Sequence, residues 1–167
     1  SPTIAALARI PFSEVEMSHA STATQATSAN SASRLARLRM SSFGAVTMLI
    51  LQYILGIIYN LYGKAPTASK SIGLFSSPVL ALHVIVAVLL LIAAVMQLVR
   101  AIGARHRLTI WLSAAGLAGI LAAGFAGLAF TGKGSAGASL GMALAFAVSL
   151  ASYVAIIVFL PAARSTT

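Results

Sequence analysis

The chain of 167 residues has only two carboxylates, Glu14 and Glu16, and beyond them four long apolar stretches run without an Asp or a Glu. This pairing narrows the possible folds more than any other feature. Only 8% of residues are charged, too few to coat a water-facing surface, because soluble domains carry about a quarter. A carboxylate at the centre of a bilayer costs several kcal/mol, so stretches that lack them suit hydrocarbon. The stretches cover about 43–62, 79–99, 108–130 and 138–160. Each holds roughly 20 residues, enough at about 1.5 Å per residue to cross about 30 Å of hydrocarbon. In lipid every backbone polar group must be satisfied within its own segment, which demands helices. The alternation with period two that marks membrane strands is missing from these stretches. The expected fold is therefore all-α: an integral-membrane antiparallel four-helix bundle over residues 41–162, with a disordered tail over 1–40 and a short cytoplasmic tail over 163–167.

The expected tail has its own logic. Residues 18–33 are almost entirely Ser, Thr, Ala, Asn and Gln. They carry too little apolar surface to offset the entropy of ordering, which predicts disorder. The chain begins with Ser, and Met17 is followed by SHASTATQATSANSAS, which reads as a natural polar start with residues 1–16 as an upstream extension. The basic run RLARLRM then leads into the first apolar stretch.

The net charge of +9 suggests nucleic acid at first sight. The basic residues instead gather at the ends of the apolar stretches, which is the mark of membrane topology. Arg34, Arg37, Arg39, Arg100, Arg105, Arg107 and Arg164 fall on one side, and Lys64, Lys70 and Lys133 on the other. Arginine on the retained side predicts both termini in the cytoplasm and a place in the cell's inner (plasma) membrane. Trp111 on one side and Tyr59, Tyr62 and Phe130 on the other fit aromatic belts at the two interfaces. A rival reading makes the first stretch a signal sequence, given its basic flank and the small residues of KAPTAS. Its length and its polar stripe argue against that.

Gln52, Gly56, Tyr59 and Asn60 recur at helical spacing, which predicts one polar face on the first helix. His83, Ala87, Leu90, Ala94 and Gln97 form a second stripe. Both are expected to face the bundle interior, where a Gln or His can find a partner. His83 is the only histidine inside an apolar stretch. It has two readings: an imidazole bonded to Asn60, Tyr59 or a helix carbonyl that locks two helices, or a ligand to haem or another metal, or a contact for a quinone. His106 and His19 lie in expected polar segments. With no cysteine there is neither thiolate chemistry nor a Cys-ligated metal site.

Small residues recur at four-residue spacing on the last two helices. Ala115, Gly119, Ala123 and Gly127 line one face of the third. Gly141, Ala145 and Ser149 line one face of the fourth, and Ala143, Ala147, Ala151 and Ala155 another. Such faces let backbones approach closely, within the bundle or against another subunit. Tyr53, Tyr153, Ser113, Ser149 and Ser152 are expected as packing residues with local hydrogen bonds. The segment TGKGSAG lacks the P-loop spacing and reads as a flexible outer turn.

The stretch LQYILGIIYNLYGKAP, followed by SSPVLALHVIVAVLLLIAA, resembles a helix pair of heme A synthase. In that family a Gln and a Leu-Gly on one helix precede a Pro-containing loop and a helix with Leu-His near its outer end. The matching positions here are Gln52, Leu55, Gly56, Leu82 and His83. The resemblance implies one four-helix half of a two-half fold, with His83 as an axial haem ligand. Family halves place a second axial histidine on the fourth helix, where this chain has none; Met142 lies at comparable depth. A His/Met pair is a known haem ligation. The family's catalytic carboxylate has no counterpart, so synthase activity is not expected.

Acid–base catalysis needs a positioned proton carrier, and His83 alone, with no carboxylate to orient it, supplies a poor one. Proton-coupled transport and a cation-selective filter lack their usual groups for the same reason. The expected function is a non-catalytic accessory or scaffold subunit of a larger membrane complex. The alternatives are a small haem- or quinone-binding protein using His83, with Asn60, Gln52, Tyr59 and Met142 around it, and a small passive carrier. Expected partners are membrane lipid and other subunits or further copies of the chain.

Overall fold

The computed structural model describes residues 12–63, 66–67 and 70–160, with side chains within the first helix from Ala32 onward. It consists of α1 (Phe12–Tyr62), α2 (Pro78–Ala104), α3 (Arg107–Lys133) and α4 (Ala136–Phe159). Among the described residues the only extended pairing is the isolated bridge Thr67–Lys70. Four spans, Ala32–Tyr62, Pro78–Ala104, Arg107–Lys133 and Ala136–Phe159, are long and apolar enough to cross a membrane. The expected segment at 163–167 lies outside the described residues.

Each helix boundary has a local cause. Ser77 caps α2 by accepting from Leu80 N at 3.2 Å, and Pro78 occupies the first turn, where its missing N–H costs nothing. Arg105 ends α2 in the left-handed conformation, at φ 54°, its N–H donating to Ile102 O. His106 then caps α3, with Nδ1 2.8 Å from Thr109 Oγ1 and 3.4 Å from Thr109 N. The histidine expected merely to sit in a polar loop thus shapes a two-residue connection. Ser135 caps α4 by accepting from Ala138 N at 3.1 Å.

Two expectations change here. Residues 12–40, expected as part of a disordered tail, continue α1 as helix. No Gly or Pro interrupts residues 13–43, and a helix nucleated in a packed segment extends at one hydrogen bond per residue without a new nucleus. The packed segment is the basic run itself. Leu38 is 1% exposed and joins the core with Ala101 and Leu160. Second, α2 runs on to Ala104, five residues past its expected end, so Arg100 is helical. At about 1.5 Å per residue, helices of this length are longer than the roughly 30 Å hydrocarbon thickness of a bilayer.

Contacts α1–α2, α2–α3, α3–α4 and α4–α1 close a ring. A Cβ built on Gly56 would meet the His83 ring at 3.5 Å, and Gln97 bonds Ser42. Fourteen residues back along α1, from Gly56 to Ser42, therefore match fourteen forward along α2, from His83 to Gln97. On the other pair, Gly116 faces Tyr153 and Gly127 faces Met142, again in equal and opposite steps of eleven. The longer α1–α2 loop reaches across the end of α3. Ile72 N donates to Thr131 O at 3.0 Å, and Pro66 covers Gly134, whose φ is 64°. TGKGSAG, expected as a flexible turn, is a two-residue connection held by a cap and a covering loop.

Candidate functional site

On α1, Leu38, Ser42, Ala45, Leu49, Gln52, Gly56 and Tyr59 are all buried or half-buried. Their spacing alternates four and three, the seam along which one helix meets a neighbour. Asn60 falls one residue off this seam and is exposed, whereas it was expected to face inward towards His83. One residue is about a 100° turn of the helix, which carries the amide out of the interior. Tyr59 is half-buried, and its ring lies over Gly63 at the end of α1.

Of the expected site residues, the fold brings together Gln52 and His83, with Gly56 between them. The His83 ring packs where Gly56 leaves out a side chain and lies within range of the Gln52 main chain. Gln52 Oε1 and His83 Nδ1 are both shut away from solvent; Oε1 has no hydrogen-bond partner, and Nδ1 has at most the Gln52 main chain, without a well-formed bond. Unpaired buried polar atoms cost about 1–3 kcal/mol each, so these two, on helices that meet here, mark a place where a polar group would be welcome. Met142 is elsewhere: its Sδ lies 3.8 Å from where a Cβ on Gly127 would stand, within the α3–α4 seam.

A second polar layer lies in the half of the bundle nearer the α2–α3 turn. Gln97 is 1% exposed; its Nε2 donates to Ser42 Oγ at 2.6 Å and to Leu38 O at 3.2 Å. Ser42 Oγ in turn donates to Leu38 O at 3.0 Å, so one carbonyl gathers two side-chain donors and ties α1 to α2. Ser149 Oγ lies 3.1 Å from Gly116 O and 3.0 Å from Ala145 O, and Ser152 Oγ donates to Val148 O at 2.8 Å. These two serines are the packing residues with local bonds that their positions predict. Tyr153 and Ser113 differ. Both are 0% exposed, and both hydroxyls lack a partner.

The inward Gln97 was legible, because a glutamine on an apolar helix needs a partner. Its partner was not: Ser42 looks like any interfacial serine until the fold sets it opposite. Gly116 was also missed, because strict four-residue spacing selects Ala115 and Gly119 and passes over it.

Chemically the interior can bond and position, and it has few means to move protons. Among the described residues no group of three or more His, Cys, Asp or Glu could hold a metal ion. His83 offers a single imidazole. Comparison of the chain with protein-family models, with curated proteins and with solved structures gave no match. Function is therefore read from the residues themselves.

Proposed function

We propose that the chain is a non-catalytic, multi-pass accessory or scaffold subunit of a larger membrane complex, inserted as an antiparallel four-helix bundle with its arginine-rich end in the cytoplasm. One observation carries this reading. The fourth helix has two faces of small residues, and only one is used inside: Ala145 and Ser149 are buried against α3, while Ala143, Ala147 and Ala151 are exposed. Between lipid and protein there is no hydrophobic gain, so helices associate where small side chains let backbones approach. The apolar exterior and the exposed Trp111 and Tyr62 at opposite ends support the membrane setting.

The test is an Ala147→Leu variant purified from native membranes in mild detergent. We expect the wild type to run as a complex and Ala147→Leu to run as the lone chain with unchanged thermal unfolding. A wild type that is itself a lone monomer would remove the subunit reading.

A second reading is favoured by the unpaired Gln52 Oε1 and His83 Nδ1: a small haem- or quinone-binding membrane protein. A haem held by His83 and Met142 would require Met142 to leave its seam against Gly127. A quinone head group needs no second ligand, only one hydrogen bond from each side, so the geometry favours it of the two. On this reading His83→Ala abolishes cofactor retention, judged by the reduced-minus-oxidised spectrum for haem and by solvent extraction for quinone, and leaves helicity unchanged. Retention equal to wild type would take His83 out of any such site.

A further inference from the structure

Three arginines converge on one cavity. A groove of about 890 Å³ opens between α1 and the end of α2, lined by Arg34, Arg37, Met40, Arg100, Gly103 and Ala104 among others. A smaller cavity of about 150 Å³ adjoins it through Arg34 and Ala104 and adds Arg105 and His106. Membrane topology explains why arginines lie on this side. It does not explain why arginines from two helices line one space.

Nothing in the described chain neutralises that charge. The sequence has no Asp or Glu after Glu16. Eighteen residues of continuous helix separate Glu16 from Arg34, roughly 27 Å at 1.5 Å per residue. Arg34 Nη1 reaches only the Gly103 carbonyl, at a long 3.5 Å. Guanidinium groups match phosphate geometry with paired donors, so the missing counter-charge has a natural chemistry. The groove is also not purely polar. Met40 is exposed on its wall, and Met96 and Ile92, one and two turns of α2 below Arg100 on the same face, are exposed as well. Gly103 has open space where a side chain would stand. Charge at one end and bare apolar helix below it fit an amphiphile.

We infer that this groove is a binding site for an anionic glycerophospholipid, its phosphate held by Arg34, Arg37 and Arg100 and an acyl chain lying along Met40 of α1 and the Met96 face of α2. The site rests on the membrane reading and its arginine-inward orientation, and is independent of any partner subunit at Ala147. Basic pockets between helices on the cytoplasmic side are known to take such headgroups.

The experiment is native mass spectrometry of the full chain in detergent micelles doped with phosphatidylglycerol or phosphatidylcholine. We expect about a hundredfold preference for phosphatidylglycerol, at roughly fivefold per arginine. The triple variant Arg34→Gln, Arg37→Gln, Arg100→Gln falls to the phosphatidylcholine level, while Lys70→Gln with Lys133→Gln keeps the preference. Arg37→Gln alone, at an exposed position, guards against misfolding of the triple variant and loses about fivefold. Equal retention of the two lipids by the wild type, or a preference that survives Arg37→Gln and the triple variant, overturns the proposal. Displacement of phosphatidylglycerol by equimolar inorganic phosphate would show a free-phosphate site and overturn the lipid assignment. Failure of the Ala147 test would leave this readout untouched, because it uses the isolated chain.

Discussion

Gly119→Leu is expected to abolish the folded bundle, and Gly119→Ala to destabilise it by about 3 kcal/mol, the upper end for overpacking a tight interior. A Cβ at this position would stand 2.7 Å from the Ala145 carbonyl oxygen and collide with Ser149 Oγ. The carbonyl is main chain and cannot rotate away, so α3 and α4 must separate. Separation would break the Ser149 contact with Gly116 O and uncover the most closely joined pair of helices in the molecule. In lipid nothing compensates, because the exposed surfaces gain no hydrophobic drive to re-pack. Gly124→Ala is the control: nothing lies within 4 Å of its Cβ position. There the added methyl should be neutral or stabilise by about 0.5–1 kcal/mol through helix propensity. Unfolding by SDS titration in mixed micelles measures both. Equal effects of Gly119→Ala and Gly124→Ala would show that the α3–α4 seam is not as close as described.

Tyr153 is the largest fully buried side chain, and its ring fills the space left by Gly116, where a Cβ would approach Cζ to 2.8 Å. Tyr153→Ala should cost about 3 kcal/mol, since the cavity forfeits packing on several helices at once. Tyr153→Phe should do the opposite. It keeps the ring and removes a buried hydroxyl without a partner, so stability should hold or rise by about 1 kcal/mol. A loss larger than about 1 kcal/mol in Tyr153→Phe would mean that the hydroxyl is bonded. The same SDS titration decides the matter.

These two residues show how far the chain can be read before it is folded. Four spans of about the right length, their helical state and the gathering of arginine on one side were all legible. So was the inward Gln97, and so was the tight use of small residues on α3 and α4. Asn60 was misplaced because an arc of about 100° of helix looks like one face until the seam is known. Leu38 was read as part of a flank because RLARLRM is basic, although its two leucines sit at the seam position and one turn before it. The candidate polar site was half legible: Gln52 and His83 do meet, and Met142 does not join them.

What the sequence determined by itself is what depends on each segment alone: how long it stays apolar, whether it must be helical in hydrocarbon, and where charge is tolerated. The tertiary structure decided which face of each helix is inside. In water an amphipathic stripe announces that face. For helices apolar enough to cross a bilayer, lipid and interior are equally apolar, so hydropathy does not distinguish them, and inside is set by shape and hydrogen bonding between helices. The Gly116–Tyr153 fit, the Gln97–Ser42 bond and the convergence of Arg34, Arg37 and Arg100 on one groove each need residues from two helices, and no property of either helix alone contains them.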